Sequence, residues 1–143
     1  MADGRGWTAG QYRRVFGWVI ERGDRRVLLA LDGGMVALAV PRSLGVNAVK
    51  QLERLDSCGP VLAVGSPRPH WIFLADANGY LAAQEDLPAG VEVLDCGQRI
   101  PVPCQDTRSV GLRWVVAPDS RRRWLPTLAT VVLAIRSGPL PGR

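Results

Sequence analysis

Lysine is nearly absent from this chain of 143 residues: Lys50 stands alone against seventeen arginines. Histidine occurs once, at His70, and tyrosine, phenylalanine and methionine twice each. A single imidazole excludes a multi-histidine metal centre and leaves a nucleophile triad only one base to draw on. The three cysteines, Cys58, Cys96 and Cys104, form no Cys-x-x-Cys pair, which argues against a zinc site. Their odd number, with no apolar secretion signal in residues 1–10, is expected of a reducing, cytoplasmic setting. The longest apolar run, Leu125–Ile135, contains Pro126 and is too short to span a bilayer, so no membrane contact is expected. Gly-x-Ser-x-Gly, Walker A and dinucleotide fingerprints are missing as well.

What the chain does have is charge of one sign. Eighteen basic groups against thirteen acidic ones give a net charge of +5. Arginine offers a planar fork of donors that matches phosphate and stacks on bases, so the expected partner is nucleic acid or a nucleotide. Base composition of the gene offers a second source of the arginine bias. The length suits one domain with its own core. Residues 1–10 and 137–143 read as flexible tails around a single domain over 11–136.

Along that domain, Tyr12, Val15, Phe16, Val19 and Ile20 fall at helical spacing within 11–20, although Gly17 leaves a strand over 15–21 as the alternative. A turn over 22–25 precedes strands over 26–31 and 35–40, joined by a hairpin turn at Asp32-Gly33-Gly34. Ser43 is placed to cap a helix running to about Leu55. Strands follow over 60–64, 70–75, 91–94, 100–103 and 111–116, the pair 91–94 and 100–103 joined around Cys96-Gly97. Tyr80–Gln84 reads as a short helical turn. A last helix opens at Trp124 or Pro126 and runs to about Arg136. Strands with one central and one C-terminal helix give an α+β domain with a largely antiparallel sheet.

Chemistry concentrates where arginine meets aromatics. Arg68 precedes Trp71, Arg113 precedes Trp114, and Arg121, Arg122 and Arg123 precede Trp124. Arginine beside an aromatic ring is the combination used to neutralise phosphate and stack on bases. Trp114 is expected in the core. His70 closes the proline-stiffened loop Gly65–Pro69 and opens a strand, a placement that holds an imidazole rigidly at a loop mouth. The acids Asp76, Glu85, Asp86, Glu92 and Asp95 are scattered. Only Glu92 lies in a strand that could carry it into a cleft.

Taken together, three segments resemble the N-terminal domain of bifunctional DNA primase/polymerases, of the archaeo-eukaryotic primase type. They are Arg68-Pro69-His70-Trp71-Ile72-Phe73, then Gly90–Gly97 running into Arg99-Ile100-Pro101-Val102-Pro103, and the closing Gly111-Leu112-Arg113-Trp114. The resemblance covers about residues 33–118. It implies that His70 contacts a nucleotide's phosphates and that Glu92 stands where the family places a metal-binding acid. The family's Asp-x-Asp pair falls on Ala37-Leu38-Ala39-Val40-Pro41, where Ala39 and Pro41 offer no oxygen ligand for Mg²⁺. The expectation is a catalytically degenerate module, without catalytic residues, metal or cofactor. It would bind nucleic acid or nucleotide phosphate through Arg68, His70, Glu92, Arg121, Arg122 and Arg123, with a replication protein as a further expected partner. Two other readings stand beside it. One is an active nucleotidyl transferase using Mg²⁺ or Mn²⁺ held by Glu92 with Asp32 or Asp95. The other is a protein-interaction module anchored by Trp7, Trp18 and the last helix.

Overall fold

The computed structural model describes residues 6–23, 26–65, 68–77, 87–95, 97–105, 111–122 and 124–137. In chain order they form α1 (Ala9–Phe16), β1 (Val19–Arg22), β2 (Val27–Ala30), β3 (Met35–Pro41), α2 (Arg42–Arg54), β4 (Val61–Val64), β5 (His70–Asp76), β6 (Glu92–Leu94), β7 (Arg99–Val102), β8 (Leu112–Val116) and α3 (Leu128–Arg136). The strands divide between a five-stranded sheet, β6-β3-β5-β4-β8, and a three-stranded sheet, β1-β2-β7. Every pairing within them is antiparallel. The chain is thus an α+β domain as expected, with its strands in two sheets instead of one.

Alternation explains the layering. Val36, Leu38 and Val40 of β3 and Trp71, Phe73 and Ala75 of β5 pack toward α2 and α3. Their neighbours Ala37, Ile72 and Leu74, with Leu62 of β4, pack toward the three-stranded sheet and α1. Strands apolar at every position have no solvent face, and β5 is buried from Trp71 to Ala75. On the helical side, α2 seats Gly45 against the Trp71 ring so closely that a Cβ there would lie 3.0 Å from Trp71 Cε3.

Several expected boundaries move. The apolar spacing over 11–20 is split: the helix starts earlier, in a capping box of Thr8 with Gln11, and stops at Gly17 with φ 69°. Val19–Arg22 is then a strand, as the alternative reading had it. Order therefore begins before residue 11, because Trp7 bridges to Cys104 and Ala9 is buried. Tyr12 fixes this corner. Its hydroxyl donates to the Pro103 carbonyl and accepts from Trp114 Nε1 at 2.9 Å and the Trp7 amide at 3.2 Å. Burial pushes the Tyr12 phenol up to about 12.

Asp32-Gly33-Gly34 is not a hairpin turn. Both glycines have positive φ and Met35 N–H donates to Asp32 O at 3.1 Å, but β2 and β3 belong to different sheets. The β6–β7 connection crosses beside it, tied by Leu31 N–H to Gln98 O at 2.9 Å. A two-stranded ribbon thus bends from one sheet into the other, which is how antiparallel sheets turn corners. β3 also runs straight into α2: Pro41 ends the strand and occupies the N-cap position, so Ser43 is not the cap. α3 starts at Leu128, capped by the Thr127 hydroxyl, and not at Trp124 or Pro126. The expected turn over 80–84, Cys96 and Arg123 lie outside the described residues. No helix among those described is long and apolar enough to cross a membrane.

Candidate functional site

Pairing of β3 with β5 sets Pro41 opposite His70, and pairing of β4 with β5 sets Val64 opposite His70. The first residue of α2, Arg42, therefore follows directly on the residue opposite His70. On β8, Arg113 pairs with Ala63 and completes the same end of the sheet. Arg42, His70 and Arg113 line one open cavity of about 420 Å³, floored by Ala63, Val64 and Trp71 and flanked by Gly65 and Gly111. No carboxylate lines it among the described residues.

The cations here differ from others on the surface. Arg122 pairs with Asp56 at 2.7 Å, and Arg99 pairs with Glu21, whose hydrogen bond and charge push the Arg99 guanidinium up. Among the described residues, neither Arg42 nor Arg113 has a carboxylate partner. The first turn of α2 holds no acid and its N-cap makes no side-chain hydrogen bond, so its leading amides add positive potential beside Arg42. His70 Nδ1 lies 2.8 Å from the Arg68 carbonyl oxygen. A carbonyl only accepts, so Nδ1 carries the proton and Nε2 is left as the second nitrogen. Nε2 becomes a donor when the ring is protonated.

The expected site residues are only partly brought together. Arg68 sits beside His70, exposed, and orients it through the main chain. Glu92 is exposed on the edge strand β6, paired with Ala39, which also pairs with Ile72. It faces the same side of the sheet as His70, yet stands two strands across and two residues along, about 12 Å away between Cα atoms. It does not line the cavity. Arg121 and Arg122 follow β8 at the opposite end of β4, where Arg122 also lies 6.0 Å over the Trp124 ring. They form no common cleft with His70. Arg123 lies outside the described residues. The residues that sequence reading did not assign to the site are Arg42 and Arg113. The antiparallel register brings them to the end of the sheet that carries His70, Arg113 two strands across through Ala63 and Trp71, and that signal is non-local.

Other chemistry finds less support in placement. Asp32 lies in the turn before β3, at the far end of that strand from His70, and Asp95 is exposed beyond β6. Among the described residues, no three His, Cys, Asp or Glu side chains converge as a metal-binding group. Burial and the nearby Glu53 push the Cys58 thiol up to about 11, which leaves little thiolate at neutral pH. Trp71 and Trp114 are buried, and so is Trp18, while Trp7 donates to the Pro118 carbonyl at 3.3 Å. Trp7 and Trp18 thus serve the interior more than an outer anchoring surface. Of the arginine–aromatic pairs, only that at Trp124, 49% exposed, leaves its ring open. The chain matches no family model, and no curated protein or solved structure matches it.

Proposed function

We propose that this chain is a binding module for the phosphate groups of a nucleotide or nucleic-acid strand, with Arg42, His70 and Arg113 as its contacts. One observation carries the reading: two arginines without acidic partners among the described residues share a cavity with the only histidine, and no acid among those residues lines it. Charge-assisted hydrogen bonds from guanidinium to phosphate are the strong ones. The uncapped first turn of α2 lends the same sign of potential. The resemblance to primase/polymerase domains supports the same ligand class through His70. It also supports binding without phosphoryl transfer, because Ala39 and Pro41 stand where the metal-binding acids would be.

The test is fluorescence anisotropy with single-stranded and duplex oligonucleotides and a labelled nucleoside triphosphate, between about 50 and 200 mM salt. Each phosphate neutralised contributes a slope of about 0.9 in log affinity against log salt on a duplex and about 0.7 on a single strand. Two or three contacts therefore give a slope near 2 on at least one ligand. Salt-insensitive binding, or none to any of the three, overturns the reading.

A further inference from the structure

At the other end of β3 and β5 lies a cavity of opposite chemistry. It has a volume of about 460 Å³ and is lined by Phe16, Trp18, Trp124, Met35, Asp32 and Asp76, among others. Its charged lining residues are the two aspartates, with no arginine among the described residues that form it, in a chain carrying seventeen arginines. Its volume falls within the range of small-molecule sites, about 300–1,000 Å³.

The walls are tied in place by the main chain. Asp76 N–H donates to Pro126 O and Ala77 N–H to Gly34 O, both at 2.8 Å, which lays the Trp124 segment along the end of β5. Asp32 Oδ1 accepts from Gly33 N–H at 2.8 Å, setting its carboxylate at the turn. Asp76 Oδ1 lies 3.8 Å from where a Gly34 Cβ would stand, over the same turn. Phe16 and Trp18 sit 5.3 Å apart between ring centroids, and Trp18 is stacked on Tyr12. Trp124 stands at the rim, 49% exposed, with Val19 at 46% and with the Arg122 guanidinium 6.0 Å from its ring centroid.

Aromatic faces carry negative quadrupoles that attract cations, and the attraction grows when the cation is partly desolvated. Carboxylates supply the matching charge. Methyl groups on a cation prefer ring surface to water, whereas a bare metal ion calls for a close shell of oxygen ligands. From these observations we propose that the Phe16–Trp18–Trp124 cavity binds a small organic ammonium ion carrying methyl groups. The rings would cover the methyls and the Asp32 carboxylate the charge. This site is separate from the phosphate cavity and stands or falls independently of it.

Choline chloride is the probe, titrated at constant ionic strength and followed by calorimetry and tryptophan fluorescence. Its uncharged isostere, in which a tert-butyl group replaces the trimethylammonium, is run in parallel. Saturable choline binding in the millimolar range is expected, at least about fivefold tighter than the isostere. Asp32→Asn keeps an oxygen for Gly33 N–H while removing charge, and should weaken choline by about fivefold without changing the isostere. Trp124→Leu, at an exposed position, should abolish saturation. Equal binding of choline and isostere, affinity unaltered in Asp32→Asn, or no saturable choline binding to the wild-type chain would each overturn the proposal.

Discussion

Both ends of the β3–β5 pair rest on the same strands, yet they gather opposite charge. At the Pro41–His70 end, Arg42, His70 and Arg113 surround a cavity without an acid among the described residues. At the Met35–Asp76 end, Asp32 and Asp76 meet three aromatic rings, with no arginine among the described residues that line it. About 20 Å separates the ends, six steps along a strand, well over a Debye length in physiological salt. The two fields are therefore screened from each other in water. A net charge of +5 describes neither end: what each can bind is set by which side chains the register collects there.

Charge reversal at one end gives the strongest separation of the two. Arg42→Glu with Arg113→Glu removes two charge-assisted contacts of about 1.5–3 kcal/mol each. Phosphate-ligand affinity measured by anisotropy should then fall by at least about 100-fold, with choline titration unaltered. A parallel loss at both ends would mean that the ends are not independent.

The support beneath the aromatic end can be loosened next. Tyr12→Phe leaves the Trp114 indole, the Trp7 amide and the Pro103 carbonyl short of a partner, at a cost of about 1–3 kcal/mol in urea denaturation. Its pH dependence has a definite sign. A phenol raised from 10.0 to about 12 in the folded state contributes stability that is complete below pH 10 and lost as pH rises toward 12. Cys58, raised from 9.0 to about 11, acts in the same direction between those values. Melting temperature should fall progressively above pH 9. Cys58→Ala should flatten the lower part of that decline and Tyr12→Phe the upper part.

A smaller effect is expected at the helix–sheet contact beside the basic end. Gly45→Ala places a Cβ 3.0–3.2 Å from Trp71 atoms, tight enough to push α2 outward at a cost of about 1 kcal/mol or more. Arg42 rides on that helix, so phosphate affinity should weaken while choline binding holds. The smallest effect belongs to His70→Gln. Its Nδ1 is committed to the Arg68 carbonyl, which leaves Nε2 as the one ring nitrogen open to a ligand. The glutamine variant should bind phosphate ligands about threefold more weakly, roughly the loss of one weak polar contact, read by the same anisotropy titration.

Much of this was written locally. Alternation over 35–40 and 70–75, the helix over 42–54 and the strand start at His70 all follow from near-neighbour spacing and turn residues. What local pattern could not carry was the destination of each strand. Asp32-Gly33-Gly34 has the glycines of a hairpin, but β2 and β3 part company because each finds its partners far along the chain, β7 for one and β5 for the other. The site suffered the same limit. Arg121 and Arg122 looked important as a run of charge, whereas Asp56, more than sixty residues earlier, neutralises Arg122. Arg42 and Arg113 looked ordinary because they stand 28 and 43 positions from His70 along the chain.

Burial of β5 on both faces sets a rule for how this chain can change. Its odd residues Trp71, Phe73 and Ala75 fill one core and its even residues Ile72 and Leu74 the other. Inserting one residue within the strand would exchange the two sets, presenting Trp71 and Phe73 to the space fitted for isoleucine and leucine. The same insertion would turn His70 away from its cavity or carry Asp76 off the turn. Length variation is therefore confined to the connections, and the spacing between the basic and acidic ends is as fixed as the count of residues between His70 and Asp76.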